Sequence, residues 1–436
     1  KIVLPILGIG ALAAAAAFAY ANRFPEIAAI APPDPASFDR DLVEQGEVLA
    51  GLGNCGVCHT RTGGEDYAGG LGLPTPFGMI YTTNITPDPE TGIGTWSEAA
   101  FVRAMRDGVD RQGRHLYPAF PYDYFARVTD DDLRAIYAYL MTRDPVVAPA
   151  TPNELGFPFD QRILLAGWKA LFHDATPFQP DPDQDDEWNR GAYIVEGLGH
   201  CGACHSPRNA LGAPARSGPD AYAGGEAEGW YAPPLNAASP APIPWTANSL
   251  VNYLIDGWDK HHGIAAGPMA PVADDLYEQS EDDVFAIAAY VMWLKGGERP
   301  KEEQDRITED LMARAAGLDW GHPEAPPVPE DAQMQAGAKV FEAQCATCHK
   351  AGGATVPLAL GTIAHAPDAS NLVQAVFRGV QPPRGSLDKS MPARAIQISD
   401  DEMVALAAFV RDRFTDLPAW QGVADTVARV RQELAH

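Results

Sequence analysis

The sequence predicts an all-α chain: three tandem helical units behind an N-terminal apolar segment long enough to form a transmembrane helix. Three observations predict it. A five-residue motif recurs at near-constant spacing, capped helix patterns recur around each copy, and the chain opens on an uncharged run. The motif reads CGVCH at Cys55–His59, CGACH at Cys201–His205 and CATCH at Cys345–His349. Its first cysteines lie 146 and then 144 positions apart, a period that marks tandem units rather than scattered matches.

The opening, KIVLPILGIGALAAAAAFAYANRF, carries no charge between Lys1 and Arg23, close to the ~20 residues that cross a bilayer core. A cleaved signal peptide is the rival reading, since Ala19-Tyr20-Ala21 offers a small-residue cleavage site. The expectation is a retained anchor over residues 1–24, with Lys1 on the cytoplasmic side. The Pro-rich PPDPASFD then leads into the first unit, 25–150. Each unit opens on a helix-like run containing a glycine: Gly46, Gly191 and Gly337. A glycine there lets another helix or a cofactor approach closely. Downstream, Ser97 to Gly108, Thr246 to Gly257 and Asp368 to Gly379 each span 11 positions. Each run starts on a helix-capping residue and stops at a glycine suited to the left-handed C′ position. A last helix follows, opened by Thr129-x-x-Asp132, Ser280-x-x-Asp283 and Ser399-x-x-Glu402, the third a capping box. The second and third units occupy 185–296 and 329–416, with linkers at 151–184 and 297–328. The first linker contains QRILLAGWKALF at Gln161–Phe172, too apolar for a free connection. The tail, 417–436, places Trp420, Val423, Val427, Val430 and Leu434 on one helical stripe, a pattern that most often packs on its own protein and less often on a membrane or partner.

C-x-x-C-H is the attachment signature of c-type haem. Each thiol adds across a haem vinyl group to form a thioether, and the next histidine ligates the iron from the proximal side. Three copies use all six cysteines of the chain, leaving none for disulfides, zinc or a lone nucleophile. The sequence therefore predicts three covalently bound haem c groups. Cys55 and Cys58, Cys201 and Cys204, and Cys345 and Cys348 attach them, with His59, His205 and His349 on the irons. Helix, motif, helix, ligand loop, helix is similar to the cytochrome c fold, here repeated as three cytochrome c-like domains.

A methionine opposite the histidine raises the potential relative to two nitrogen ligands. The loop before the final helix supplies Met269 in GPMAPV and Met391 in KSMPAR. The first unit reads RHLYPAFPY, with Phe120 where a methionine would stand. His115, five residues earlier, is the leading substitute, ahead of a vacant or weakly held position. A methionine comes last: Met105 suits an apolar haem contact and Met79 lies far upstream. If His115 ligates, haem one should have the lowest potential and lie nearest the electron source.

The chain holds 58 acidic against 32 basic residues, a net charge of −26, which argues against nucleic acid or an acidic substrate. No G-x-G-x-x-G motif follows a strand-like run, so substrate oxidation is expected in another polypeptide. A competing class is a haem peroxidase or ligand sensor with an open iron at haem one; carbon monoxide binding separates the two.

Through TPFGMIYTTNITPDPETGIG, GRHLYPAFPY and RNALGAP, together with the three signatures, the sequence resembles the triheme cytochrome c subunits of membrane-bound bacterial dehydrogenases. The resemblance implies an electron-transfer subunit at the cytoplasmic membrane, facing the periplasm, that passes electrons from a catalytic subunit toward ubiquinone or a terminal oxidase. Partners in such families are quinoprotein alcohol dehydrogenases, flavin sugar dehydrogenases, or molybdopterin enzymes with iron–sulfur subunits acting on aldehydes or N-heterocycles. Phe120, LLAGWKALF and the expected anchor look more like the molybdenum type. A molybdopterin and iron–sulfur aldehyde dehydrogenase is thus the expected partner, with a PQQ alcohol or flavin sugar dehydrogenase as alternatives.

Overall fold

A computed structural model describes residues 22–353 and 355–434. The expected anchor over 1–24 therefore falls almost wholly outside the described residues. Among the described residues no helix is long and apolar enough to cross a membrane. The expectation of an all-α chain with a membrane-spanning helix is corrected accordingly. The architecture is mainly helical, with three small antiparallel sheets and no spanning helix among the described residues.

The sheets arise from tight turns in the loops that follow the motifs. Gly72–Thr75 pairs with Gly78–Tyr81, which also takes Glu154–Leu155. Gly225–Ala227 pairs with Trp230–Ala232 across Glu228 and Gly229, whose φ angles are 51° and 76°. Two consecutive positive φ values make the hairpin turn that matches strand twist. Glu-Gly is not the Asn-Gly or Asp-Gly pair that announces such a turn in a sequence. Trp258–Asp259 and Gly263–Ile264 form the third sheet.

The chain divides into two compact units. The first holds 22–185 with Ala192–Ala203 and Arg208–Ala213; the second holds Asp186–Gly191, Cys204–Pro207 and the chain from Pro214 onward. The division runs through the second motif, so it does not follow the sequence repeat unit for unit.

One packing device recurs in all three repeats. Helix Arg40–Leu52 crosses helix Asp130–Met141, and a β-carbon added to Gly46 would stand 2.0 Å from the Ala135 carbonyl oxygen. The same addition at Gly191 would stand 2.0 Å from the Ala286 oxygen, and at Gly337 2.2 Å from the Ala405 oxygen. One turn further along, Tyr139, Tyr290 and Phe409 close over the glycines. Backbone meets backbone at each crossing, which only glycine permits. The repeated helix pair frames each motif.

The predicted caps form in nearly every case. Ser97 caps Glu98–Asp107, and Gly108 ends that helix at φ 60°. Thr129, Ser280 and Ser399 cap the final helices, the last as a reciprocal box with Glu402. Thr246 adds a second box with Ser249. Asp368 accepts from the Ser370 amide at 2.8 Å from one residue outside the cap position, which is Ala369.

The linkers and tail are structured. In the first unit, Leu165–Phe172 buries Ala166 and Trp168, and Trp168 packs with Tyr122 and Ala213, with Leu116 and Phe120 alongside. In the second, Lys301–Leu318 and Trp320 pack on the core that carries the third motif. The tail helix Val423–Glu433 buries Val427 and Val430 in that core, with Trp420 beside them and Leu434 exposed. Most of the predicted stripe packs on its own protein.

Candidate haem-attachment sites

Each motif folds as a short helical turn or helix immediately after the glycine-bearing helix. Cys55–His59 is one such helix, entered through Asn54 at φ 50°. His200 enters the second motif at φ 40°, a left-handed value in the same register. This geometry carries two thiols and one imidazole per site on a single turn.

The imidazoles are oriented from behind. His59 Nδ1 lies 2.6 Å from the Thr83 carbonyl oxygen, and His205 Nδ1 lies 2.6 Å from that of Pro233. A carbonyl only accepts, so Nδ1 carries the proton in both rings and Nε2 keeps its lone pair for a metal. Burial pushes the pKa of both histidines down and favours the neutral form, against the carbonyl contacts, which raise it. His349 has a looser support, its Nδ1 3.5 Å from Thr355 Oγ1. A cleft beside His349 is lined by Lys350, Thr355, Val356, Leu358 and Phe414.

The supporting carbonyls sit 24 and 28 residues beyond their histidines, and a shared scaffold brings them back. The Tyr67 amide donates to Thr60 Oγ1 at 3.1 Å, and the Tyr222 amide to Ser206 Oγ at 2.9 Å. The Gly69 amide then donates to the His59 carbonyl at 2.6 Å, and Gly224 to that of His205 at 2.9 Å. Both tyrosines and both glycines have positive φ. A β-carbon on Gly69 would stand 2.4 Å from the Thr83 carbonyl carbon, so the glycine lets that carbonyl reach the ring. Sequence reasoning missed these residues, although YAGG at Tyr67–Gly70 and again at Tyr222–Gly225 was there to be found.

The opposite loops share a register. One residue past each helix-ending glycine, Val109 pairs with His115, Trp258 with Ile264, and Val380 with Met391. His115 therefore occupies the place of Met391 in its loop. Phe120 and Met269 share the other position, each five residues further on. Met269 opens the helix Met269–Tyr277, and Met391 packs against the core of its own repeat. Met105 is buried in its helix, and Met79 is held in the first sheet.

His115 is 5% exposed, and its Nε2 has no hydrogen-bond partner. Its Nδ1 lies 2.9 Å from Lys169 Nζ, and Arg162 donates to its carbonyl at 2.7 Å. Both cations come from the Gln161–Phe172 segment. Burial foremost, then the Lys169 charge, lower the His115 pKa to about 4. Burial likewise lowers that of Lys169 to about 7. A lysine ammonium only donates, so beside charged Lys169 the neutral ring carries its proton on Nε2; a metal on that side requires the proton to sit on Nδ1, which a neutral Lys169 amine would accept. The donor set as a whole fits covalent haem: paired thiols, an adjacent imidazole with Nε2 free, and a framed cleft.

Such sites on such a helical frame define a c-type cytochrome. Family models agree: residues 43–144 match cytochrome c, and residues 332–410 match cytochrome c oxidase, cbb3-type, subunit III. The chain is 45% identical over 413 residues to a nicotinate dehydrogenase subunit of Pseudomonas putida, covering 93% of this chain and 33% of that one. It thus spans about a third of that relative's length. It is 35% identical over 389 residues to the cytochrome c subunit of the quinone alcohol dehydrogenase of Gluconobacter oxydans, covering 86% and 78% of the two chains. The gluconate 2-dehydrogenase cytochrome c subunit of Pantoea cypripedii is 34% identical over 410 residues, 90% of each chain. The chain belongs to the family of cytochrome c subunits of dehydrogenases, whose role is electron transfer through covalently bound haem c.

Proposed function

We propose that this chain holds three haems and relays electrons from a catalytic dehydrogenase subunit toward ubiquinone or the respiratory chain. The observation that carries the count is the threefold helix crossing at Gly46, Gly191 and Gly337, each framing one C-x-x-C-H motif. Each bound haem supplies a one-electron iron couple. The chain's own residues would hold the groups through the paired cysteines and orient the imidazoles of His59 and His205 through the Thr83 and Pro233 carbonyls.

The partner we favour is a molybdopterin enzyme with an iron–sulfur subunit, oxidising an aldehyde or an N-heterocycle. Phe120 and the apolar Gln161–Phe172 segment support this reading. So does the stronger identity to a dehydrogenase of nicotinate, an N-heterocycle, than to those of alcohol or gluconate. Covalent haem attachment is completed outside the bacterial cytoplasm, which supports a periplasmic location. His115 is the sixth ligand of haem one in this reading, supported by the register it shares with Met391 and by its buried Nε2, which has no hydrogen-bond partner and ligates once Lys169 is neutral. Met269 and Met391 serve the other two.

Intact-mass measurement tests the count: three haem adducts are expected, and fewer would overturn it. Purification with companion subunits, identified by mass, tests the partner. A molybdenum subunit with an iron–sulfur subunit is the expected result, and a quinoprotein alone would refute it.

A further inference from the structure

The three motif histidines differ in what holds them from behind. In the first repeat the supporting carbonyl belongs to Thr83, two residues past the strand Gly78–Tyr81. In the second it belongs to Pro233, one residue past the strand Trp230–Ala232. A hairpin thus returns the backbone to each ring. The third repeat is too short for that. From His59 to Glu98, where the next capped helix begins, the chain runs 39 positions, and from His205 to Ala247 it runs 42. From His349 to Ser370 it runs 21, and no strand lies between them among the described residues. Thr355, six residues past His349, stands in for the missing carbonyl. Its Oγ1 lies 3.5 Å from His349 Nδ1 and 3.0 Å from the Cys348 carbonyl oxygen. A carbonyl only accepts, so the hydroxyl proton goes to Cys348 and Oγ1 offers His349 a lone pair. The ring keeps its proton on Nδ1, as in the other two sites. Its acceptor, however, is a hydroxyl at the outer limit of a hydrogen bond, where the others have a carbonyl at 2.6 Å.

We propose that Thr355 is a positioning residue that sets the potential of the third haem through His349, making it the highest of the three. The inference rests on the reading that the third motif carries haem. A strong acceptor on Nδ1–H makes a ligating imidazole more basic, and a more basic ligand favours ferric iron. His349 lacks that push, so haem three is reduced ahead of haem two, although a methionine stands opposite in both. Water at the exposed Cys348 favours the ferric state and works against this. Its reach is limited, because Val356 and Leu358 beside His349, and Met391 in the opposite loop, pack against the core. Asp319 and Lys350 at the His349 cleft carry opposite charges. Electrons delivered to the chain then rest at the third repeat, which makes it the donor to the chain's oxidant.

The test uses the full haem-loaded chain and two readouts. In spectroelectrochemical titration, Cys345→Ala/Cys348→Ala should remove the component of highest midpoint and leave the other two. Thr355→Asn places a neutral amide carbonyl one bond further out, within reach of His349 Nδ1. It should shift the third haem about tenfold toward the ferric form, about 59 mV for one electron, with the other two unmoved. Thr355→Ser, which keeps the hydroxyl, should leave all three in place. The second readout does not depend on potential. In the reduced chain with isotope-labelled histidine, the Nδ1 proton of His349 should exchange with deuterated water faster than those of His59 and His205, and should slow in Thr355→Asn. Intact mass, measured on every variant, reports the haem count, so loss of the third haem is told apart from failure of the proposal. The proposal is overturned if the highest midpoint survives the loss of Cys345 and Cys348, or if Thr355→Asn leaves the third midpoint unchanged. It is also overturned if the three Nδ1 protons exchange alike.

Discussion

Lys169 Nζ stands 2.9 Å from His115 Nδ1 and donates to the carbonyl oxygens of Asp107 and Gly108, each at 2.6 Å. One cation therefore ties three parts of the first repeat: the end of a helix, its C′ glycine and the loop that carries His115. It also lies over the Tyr122 ring at 4.8 Å. Lys169 comes from the segment between the first two repeats. The surroundings of His115 are thus built partly by residues outside the repeat.

Lys169→Met should destabilise the protein by about 2–4 kcal/mol. It leaves two inward-facing carbonyls without their charged donor, and such bonds contribute about 1.5–3 kcal/mol each. Denaturant titration with matched m-values checks the cost. The absorption spectrum of haem one should change with it, whereas a purely distant effect would leave the spectrum alone.

His115→Ala should open one iron to carbon monoxide. In the native chain the ferrous Soret band should scarcely respond to the gas; in the variant about one haem in three should shift, on the six-coordinate reading of these sites. A native chain that already binds carbon monoxide at one haem would move haem one to the ligand-sensing class.

Gly337→Ala should cost about 2 kcal/mol or more, because its β-carbon would fall 2.2 Å from the Ala405 oxygen and 2.6 Å from Phe409 Cβ. Gly317→Ala supplies the control. It sits in helix Lys301–Leu318 with nothing within 4 Å of the added carbon, and should stabilise by about 0.5–1 kcal/mol. Thermal unfolding of the two variants should move in opposite directions.

Asp275 carries a pH dependence. Burial foremost, with Asp274 and Glu278 adding to it, raises its carboxyl from 3.8 to about 6, while Arg384 pulls the other way. The folded state holds that proton to higher pH than the unfolded chain, so stability falls as pH rises from about 4 to about 6 and stays lower above. Asp275→Asn should gain about 1–2 kcal/mol at pH 7 after allowance for solvent screening. The gain should disappear below the unfolded value, as denaturation at both pH values would show.

Much of the site was legible because its chemistry is local. The cysteines and their following histidines are five-residue motifs, the caps are four-residue motifs, and the glycine of each first helix stands 8 to 10 positions before its motif. The hairpins were not legible, since a Glu228-Gly229 turn lacks the usual pair and its strands are only three residues long. The histidine supports were also hidden, because Thr83 and Pro233 act through backbone carbonyls, which every residue possesses.

The sequence by itself determined the three C-x-x-C-H motifs, which helices frame each of them, and that the first repeat lacks a methionine in the place of Met269. Only the tertiary structure decided that His115 shares the register of Met391 and that Lys169 braces it. Covalent attachment depends on neighbours in the chain and is written in order. Register, burial and the contact of distant loops depend on how the backbone returns to itself, and no local pattern encodes that return.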